Sequence, residues 1–580
     1  MHPRFLHLSL LFLLLLASPS SCFTHEQEEH DVAADSLHES FHRCFVNLSP
    51  ATTNPSQIIH TPSDTSYPSL LNATIQNLRF VSPHTPHPSL LLTPSTIAET
   101  QACSRRHGLT VRPRSGGHDY EGLSYRSVVA TGGCGGGGGA PFAVVDVAAL
   151  REVRVDAARR EARVGPGATL GELYYAVARE NGGGSPLGFP AGICPTVCVG
   201  GHLAGGGFGP MMRKHGLAAD NVVDAEVVDA DGRLLRGRAA MGEALFWAIR
   251  GGGGGSFGVV VSWKVKLVPV PPVVSVFTVR RLVRRGDLRQ TESMVKLLTK
   301  WQRVAHALPD DLFVKAAMES KLGDDGERHP LVTFKSLFLG GNCTAMIAEM
   351  DSHLPSLGVT ASDCRDMSWI ESMLYFYGYT DGSHPVEVLL DRTLQPKDYY
   401  KIKLDYLTSP VPSSAIRGLL ARIVEDKGGS IDIDPQGGVV GETPESATPY
   451  AHRRGYLYNV QYFVKWGGDA NVSYEDEHLS WVRGVHGFMA PYVSSRPRAA
   501  YVNFRDLDLG MNVERETTSY EKAKGWGEMY FRGNFRRLAM VKGEVDPEQV
   551  FWSEQSIPPL FGADAGERQS DEGSGLVSDS

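Results

Sequence analysis

The stretch that constrains this chain most is Arg112-Pro113-Arg114-Ser115-Gly116-Gly117-His118-Asp119-Tyr120-Glu121-Gly122-Leu123-Ser124-Tyr125. It follows the apolar run Leu109-Thr110-Val111, so it reads as the turn that leaves a strand. Two adjacent glycines let backbone come close to a ligand, and successive N–H groups in such a turn form an anion-binding concavity. His118 stands just past them, where its imidazole meets the same ligand. Taken alone, the stretch is equally a glycine-rich β-turn with a surface histidine.

A second stretch, Gly188-Phe189-Pro190-Ala191-Gly192-Ile193-Cys194-Pro195-Thr196-Val197-Cys198-Val199-Gly200-Gly201-His202-Leu203-Ala204-Gly205-Gly206-Gly207-Phe208-Gly209, changes that balance. Together the two resemble the berberine bridge enzyme-like family of plant FAD-linked oxidases, flavoproteins of the vanillyl-alcohol-oxidase type. The resemblance runs from about Cys44 to Leu560. It implies FAD held by two covalent bonds, His118 to the flavin 8α-methyl and Cys194 to flavin carbon 6. It also assigns Ser115, Gly116, Gly117, Asp119, Val197, Gly201 and His202 to the flavin site. His202 matches a family histidine that hydrogen-bonds the flavin, although a satisfied core histidine would look the same. Val197 stands where the family controls oxygen access, and a valine there implies an oxidase that releases hydrogen peroxide.

The implied fold is α+β. A two-subdomain FAD-binding domain of the PCMH type covers 40–270, with its core at about 84–270. A substrate domain with an antiparallel sheet backed by helices covers 271–500, and a closing segment, 501–561, returns to the flavin domain. The implied reaction is oxidation of an alcohol, a carbohydrate or an alkaloid by hydride transfer to flavin, with a small-molecule substrate and oxygen as partners. Tyr120 falls where the family lines its active site. Two family positions for a base tyrosine hold Phe208 and Phe504, which have no ionisable oxygen. Asn459 stands where relatives place lysine or glutamate, and both it and Gln461 can hydrogen-bond a hydroxyl without deprotonating it. Tyr501 is then the first choice for a displaced base. The alternatives are a substrate acidic enough to need little help, a dehydrogenase with another acceptor, and a flavin-bearing glycoprotein with reduced catalysis.

The remaining sequence is consistent with a secreted monomer. Of 580 residues, 42% are hydrophobic and 21% charged, enough apolar material for a sizeable core. A net charge of -8 discourages nucleic-acid or anionic-membrane partners. Residues 1–22 combine Arg4, the largely apolar run Phe5–Ala17 and small residues up to Cys22, the layout of a secretory signal peptide. That run is too short for a membrane span, so the mature chain is expected to be soluble and extracellular, in the apoplast or cell wall. An oxidising compartment favours pairing Cys44 with Cys103, as does the resemblance. The pairing of Cys134, Cys198, Cys343 and Cys364 stays open. Sequons fall at Asn47, Asn72, Asn342 and Asn471, the first weakened by Pro50. No metal site is expected.

Local signals add several elements. A helix is predicted over 94–107 with Thr93 as its cap, Pro94 at its first position and Gly108 as its stop. Thr169-Leu170-Gly171-Glu172 is a capping box for a helix ending near Gly182, and Asp229-Ala230-Asp231-Gly232 is a hairpin turn. The glycines at 251–255 follow a helix and precede a strand, the wrong order for a dinucleotide fingerprint. Pro269, Pro271 and Pro272 mark a boundary, and the apolar spacing from Met294 to Leu308 is helical. Strands are expected at 142–147, 312–318 and 331–338. Glu442 and Glu445 read as a solvated loop. The glycine insert around Cys134 and the acidic tail 562–580 read as floppy.

Overall fold

The computed structural model describes residues 37–562 apart from 74, 83–84, 95–96, 129–140, 181–184 and 468–471. The signal segment, the Cys134 insert, Gly182, Asn471 and the tail beyond Gly562 lie outside the described residues.

Strand patterning divides the chain between three main sheets. A small sheet takes Ile59–His60, Leu90–Leu92, Phe142–Asp146 and Thr110–Arg114 in that order, and its last two pairings are parallel. Phe142–Asp146 is buried throughout, which explains its continuous apolar run. A second, antiparallel sheet orders Val153–Asp156, Glu161–Val164, Val259–Lys266, Val222–Val228 and Leu234–Arg236. The Asp229–Gly232 turn joins its last two strands as expected, Gly232 taking φ +82°.

The third sheet has seven strands, in the order Cys364–Met367, Val274–Leu282, Arg328–Phe338, Leu312–Leu322, Gly429–Pro435, Tyr458–Trp466 and Tyr399–Leu407, all antiparallel. Its side chains alternate between two environments, as a pleated sheet requires. Val314, Ala316, Ile431, Ile433, Val460 and Tyr462 pack with Met294, Leu298 and Trp301 of the Leu288–Val304 helix and with Ile416, Leu419 and Val482 of two others. Lys315, Asp432, Asp434 and Gln461 point the other way. That second face is the one that matters for chemistry.

Two local expectations are corrected. The helix predicted from Pro94 runs over Ala98–Arg106, with Ile97 as N-cap and no side-chain cap. Thr93 is engaged elsewhere: its N–H donates to Ile58 O at 2.9 Å and its hydroxyl to Gln57 O at 3.1 Å, extending the pairing of 59–60 with 91–92. Glu442 ends a short helix, Gly438–Glu442, rather than lying in a loop. By contrast the Thr169/Glu172 capping box forms in full at the head of Leu170–Arg179.

Cys44 is bonded to Cys103 and Cys343 to Cys364, resolving part of the pairing left open by the sequence. Cys194 and Cys198 are free. Among the described residues no helix is long and apolar enough to cross a membrane.

Candidate active site

The His118 turn, the Cys194 stretch, the Gly253–Gly255 loop, residues 501–505 and the inner face of the seven-stranded sheet surround one cavity of about 520 Å³. Glycine makes the close approaches possible. A Cβ on Gly116 would lie 3.1 Å from Cys198 N, and Gly117 takes φ +68°, in the left-handed region. A Cβ on Gly201 would meet nothing within 4 Å, so the backbone there borders open space along the cavity wall.

His118 and Cys194 both open into this cavity. The His118 Nε2–H donates to Thr196 O at 3.1 Å, and because a carbonyl can only accept, this bond fixes the tautomer. Nδ1 therefore keeps its lone pair. Burial lowers the imidazole pKa to about 4, so His118 is neutral at physiological pH. Thr196 lies two residues after Cys194, so one short piece of chain carries the thiol and orients the histidine. Burial pushes the Cys194 thiol up, while the Lys315 ammonium pulls the other way. The thiolate form of Cys194 is thus opposed by desolvation and favoured by Lys315.

The other sequence-derived flavin residues divide by role. Ser115 donates to Pro166 O at 2.6 Å. Asp119 Oδ1 accepts from the N–H groups of Glu121 and Leu123, and Oδ2 lies 3.4 Å from Arg505, so Asp119 holds the turn in shape. His202 Nε2 accepts from Gly192 N at 3.1 Å, which leaves the proton on Nδ1, and burial lowers its pKa to about 4. Val197 is half-buried on the cavity wall.

One wall is aromatic. Phe208 packs on Tyr501 at 4.9 Å and on Phe504 at 5.6 Å between ring centres, and Tyr120 meets Phe504 at 5.1 Å and Tyr400 at 5.5 Å. Burial drives the Tyr120 phenol well above its usual range. Tyr501, offered by the sequence as a displaced base, is tied into the protein. Its oxygen accepts from Gly207 N at 2.9 Å and from Asn503 Nδ2 at 3.0 Å, and burial outweighs both donors to raise its pKa.

The facing wall is charged, and sequence reasoning missed most of it. Lys315 Nζ lies 2.7 Å from Asp432 and 3.1 Å from Asp434. Gln461 donates to Asp434 Oδ2 at 3.0 Å and to Asn459 Oδ1 at 2.9 Å. Strand register builds the group: Ala316 opposes Ile433, Asp432 opposes Gln461 and Asp434 opposes Asn459. Of the two amides, Gln461 borders the cavity, whereas Asn459 is fully buried behind it. The available signal was Asp432-Ile433-Asp434, two carboxylates at i and i+2, which a strand places on one face.

A neutral histidine with a free Nδ1, a cysteine on the same cavity and glycine-lined walls form a donor set that fits a flavin. A family model described as FAD binding domain matches residues 88–238, and one described as Berberine and berberine like matches 500–558. The fold and the matched domain define an FAD-binding oxidoreductase with the PCMH-type fold, acting on a small-molecule substrate. The chain is 46% identical over 511 residues to berberine bridge enzyme-like Cyn d 4 of Cynodon dactylon, covering 87% of this chain and 91% of that one. It is 42% identical to tetrahydroberberine oxidase of Berberis wilsoniae, over 91% and 95% of the two chains. The chain belongs to the berberine bridge enzyme-like family. Among solved structures, wild-type Phl p 4.0202, described as a glucose dehydrogenase, superposes with a TM-score of 0.81 at 42% identity, covering 90% of this chain and all of that one. A Phl p 4 variant with valine for isoleucine, and a second that adds histidine for asparagine five residues on, are each described as a glucose oxidase.

Proposed function

We propose that this chain is a secreted FAD-dependent oxidase, its flavin attached through His118 and Cys194, that oxidises a hydroxyl of a small carbohydrate-like substrate. Bound FAD supplies the hydride acceptor and, with oxygen, the route to hydrogen peroxide. The observation that carries the reading is the two-sided cavity. A row of mixed donors and acceptors, Lys315, Asp432, Asp434 and Gln461, faces an aromatic wall of Tyr120, Tyr400 and Phe504. Hydroxyls both donate and accept, so such a row suits a polyol better than an alkaloid ammonium, which only donates.

The tethering atoms are poised by the protein. Thr196 O holds Nε2–H of His118 and presents Nδ1 as the nucleophile, while Lys315 favours the Cys194 thiolate. Val197 supports oxygen as the acceptor. Val197 and His202 are five residues apart, the spacing of the valine and histidine in the doubly substituted Phl p 4 oxidase. Two disulfides and the exposed sequon residues Asn72 and Asn342 favour an extracellular, glycosylated protein.

The test is anaerobic flavin reduction with a panel of D-glucose, cellobiose, coniferyl alcohol and a benzylisoquinoline alkaloid, followed by oxygen. Bleaching by a sugar and stoichiometric peroxide on reoxidation are expected. Bleaching by the alkaloid alone, or no peroxide, would reject the reading.

A further inference from the structure

With phenylalanine at positions 208 and 504, the proton acceptor for a substrate hydroxyl must come from elsewhere in the cavity. Among the described residues three carboxylates line it: Asp119, Asp432 and Asp434. Asp119 is occupied with the turn and with Arg505. Asp434 is buried, and its Oδ2 is taken by Gln461. Asp432 differs from both. Its side chain is 29% exposed to the cavity side, and Oδ1 lies 2.7 Å from Lys315 Nζ.

We propose that Asp432 is the catalytic proton acceptor for the substrate hydroxyl and that Lys315 is its positioning residue. The assignment rests on the oxidoreductase reading above and adds the acceptor that the sequence lacked.

Charge and geometry agree. One ammonium between two carboxylates leaves one negative charge in excess, so the group can take a proton while Lys315 stays paired. Burial opposes the Lys315 charge, but Asp432 and Asp434 outweigh it and raise its pKa, so the ammonium persists. Burial also pushes the Asp434 carboxyl up, but its Oδ2 is already engaged by Gln461. The other groups in this field are Lys335, Tyr120 and Cys194. Lys335 donates to the carbonyls of Tyr375 and Phe376, and burial, then Lys315, lowers its pKa to about 8. After burial, Asp432 is among the lesser causes that raise the Tyr120 and Cys194 pKa values, and all three side chains line the one cavity. In the step itself the substrate O–H bond breaks and its proton goes to the Asp432 carboxylate. The carbon–oxygen bond would become a carbonyl, and FAD, when bound, would supply the acceptor for the hydrogen on that carbon and its electron pair. The substrate thus loses two electrons and two hydrogens, and solvent later takes the proton from Asp432.

The experiment uses flavin-loaded wild type, Asp432→Asn, Asp432→Glu, Asp434→Asn and Lys315→Gln, with the panel sugar that bleaches wild type fastest. Asp432→Asn is expected to slow anaerobic reduction by about 10²–10⁴-fold, the usual range for a general base, and Asp432→Glu to recover part of it. Lys315→Gln should move the acidic limb of the pH profile to higher pH, because loss of the cation makes the carboxylate easier to protonate. Independently of rate, infrared difference spectra of the sugar-reduced protein should show a protonated carboxylic acid band that is absent in Asp432→Asn. If Asp432→Asn fails to hold flavin, the Lys315→Gln profile and the wild-type infrared band decide the matter. Equal rates for wild type and Asp432→Asn, a large loss confined to Asp434→Asn, or an unmoved Lys315→Gln limb would overturn the assignment alone. A wild-type flavin that no sugar bleaches overturns both this assignment and the functional reading.

Discussion

Thr196 couples the two side chains on which the proposed flavin attachment depends. Its carbonyl fixes the His118 tautomer, and it lies two residues from Cys194. If the flavin is held by the two proposed bonds, Cys194→Ala and His118→Ala should each give an acid precipitate that stays yellow, while the double substitution should give a colourless one, read by visible absorbance of the pellet. At Val197, the single added methylene of Val197→Leu narrows a cavity wall. It should slow oxygen-dependent reoxidation about tenfold, roughly 1.4 kcal/mol in the barrier, with sugar reduction unchanged in stopped flow. Residues of this kind are legible in the sequence because each motif is contiguous and its glycines are dictated by local geometry. Asp432 and Lys315 are not. They are 117 positions apart and meet only through the register of two strands, which no local pattern specifies.

The Tyr399–Leu407 strand shows what an element can carry beyond its apolar pattern. Its buried Lys401 bonds Glu121 and, at 2.7 Å, Asp506, and its buried Lys403 bonds Asp506 and, at 2.8 Å, Asp508. Burial opposes ionisation of Lys401, Asp506 and Asp508, and the neighbouring opposite charges outweigh it, lowering both aspartates and raising Lys401. The signs fix a pH window. The aspartates contribute stability above their unfolded pKa of about 3.9, lost as pH falls through their lowered values, and Lys401 contributes below about 10.4, lost as pH rises through its raised value. Lys401→Met should cost about 3–5 kcal/mol by taking from Glu121 its nearest cation and leaving Asp506 only Lys403, seen as a lower urea midpoint at neutral pH. That penalty should shrink in acid, where the stranded carboxylates protonate. Elements were legible where the signal was local, as at the Thr169 capping box. They shifted where tertiary pairing took the capping residue, as with Thr93.

At the scale of the molecule, the segment after residue 500 binds distant parts together. Glu554 pairs with Arg112 at 3.0 Å and accepts from Ser127 and Val128, while Arg505 donates to Gly254 O at 2.9 Å. Composition and periodicity say nothing of this return; only the family resemblance implied it. The surface offers a separate check. Asn342 uses its side-chain oxygen to cap the Cys343–His353 helix through Ala345 N, and this leaves Nδ2 for a glycan. Protein recovered from a plant secretory host should carry glycans at Asn72 and Asn342 and none at Asn47, read by mass spectrometry after enzymatic deglycosylation in heavy-oxygen water.

Arg112 and Glu554 are 442 positions apart, and Leu507 donates to Glu121 across 386. On the ribosome, the glycine turn therefore emerges long before the chain that seals it. Until translation has passed residue 554 the strand that leads into the turn lacks the carboxylate that braces its buried Arg112, so cofactor capture is a late event. Nascent chains stalled short of that point should be unable to retain FAD, however well their early strands have formed.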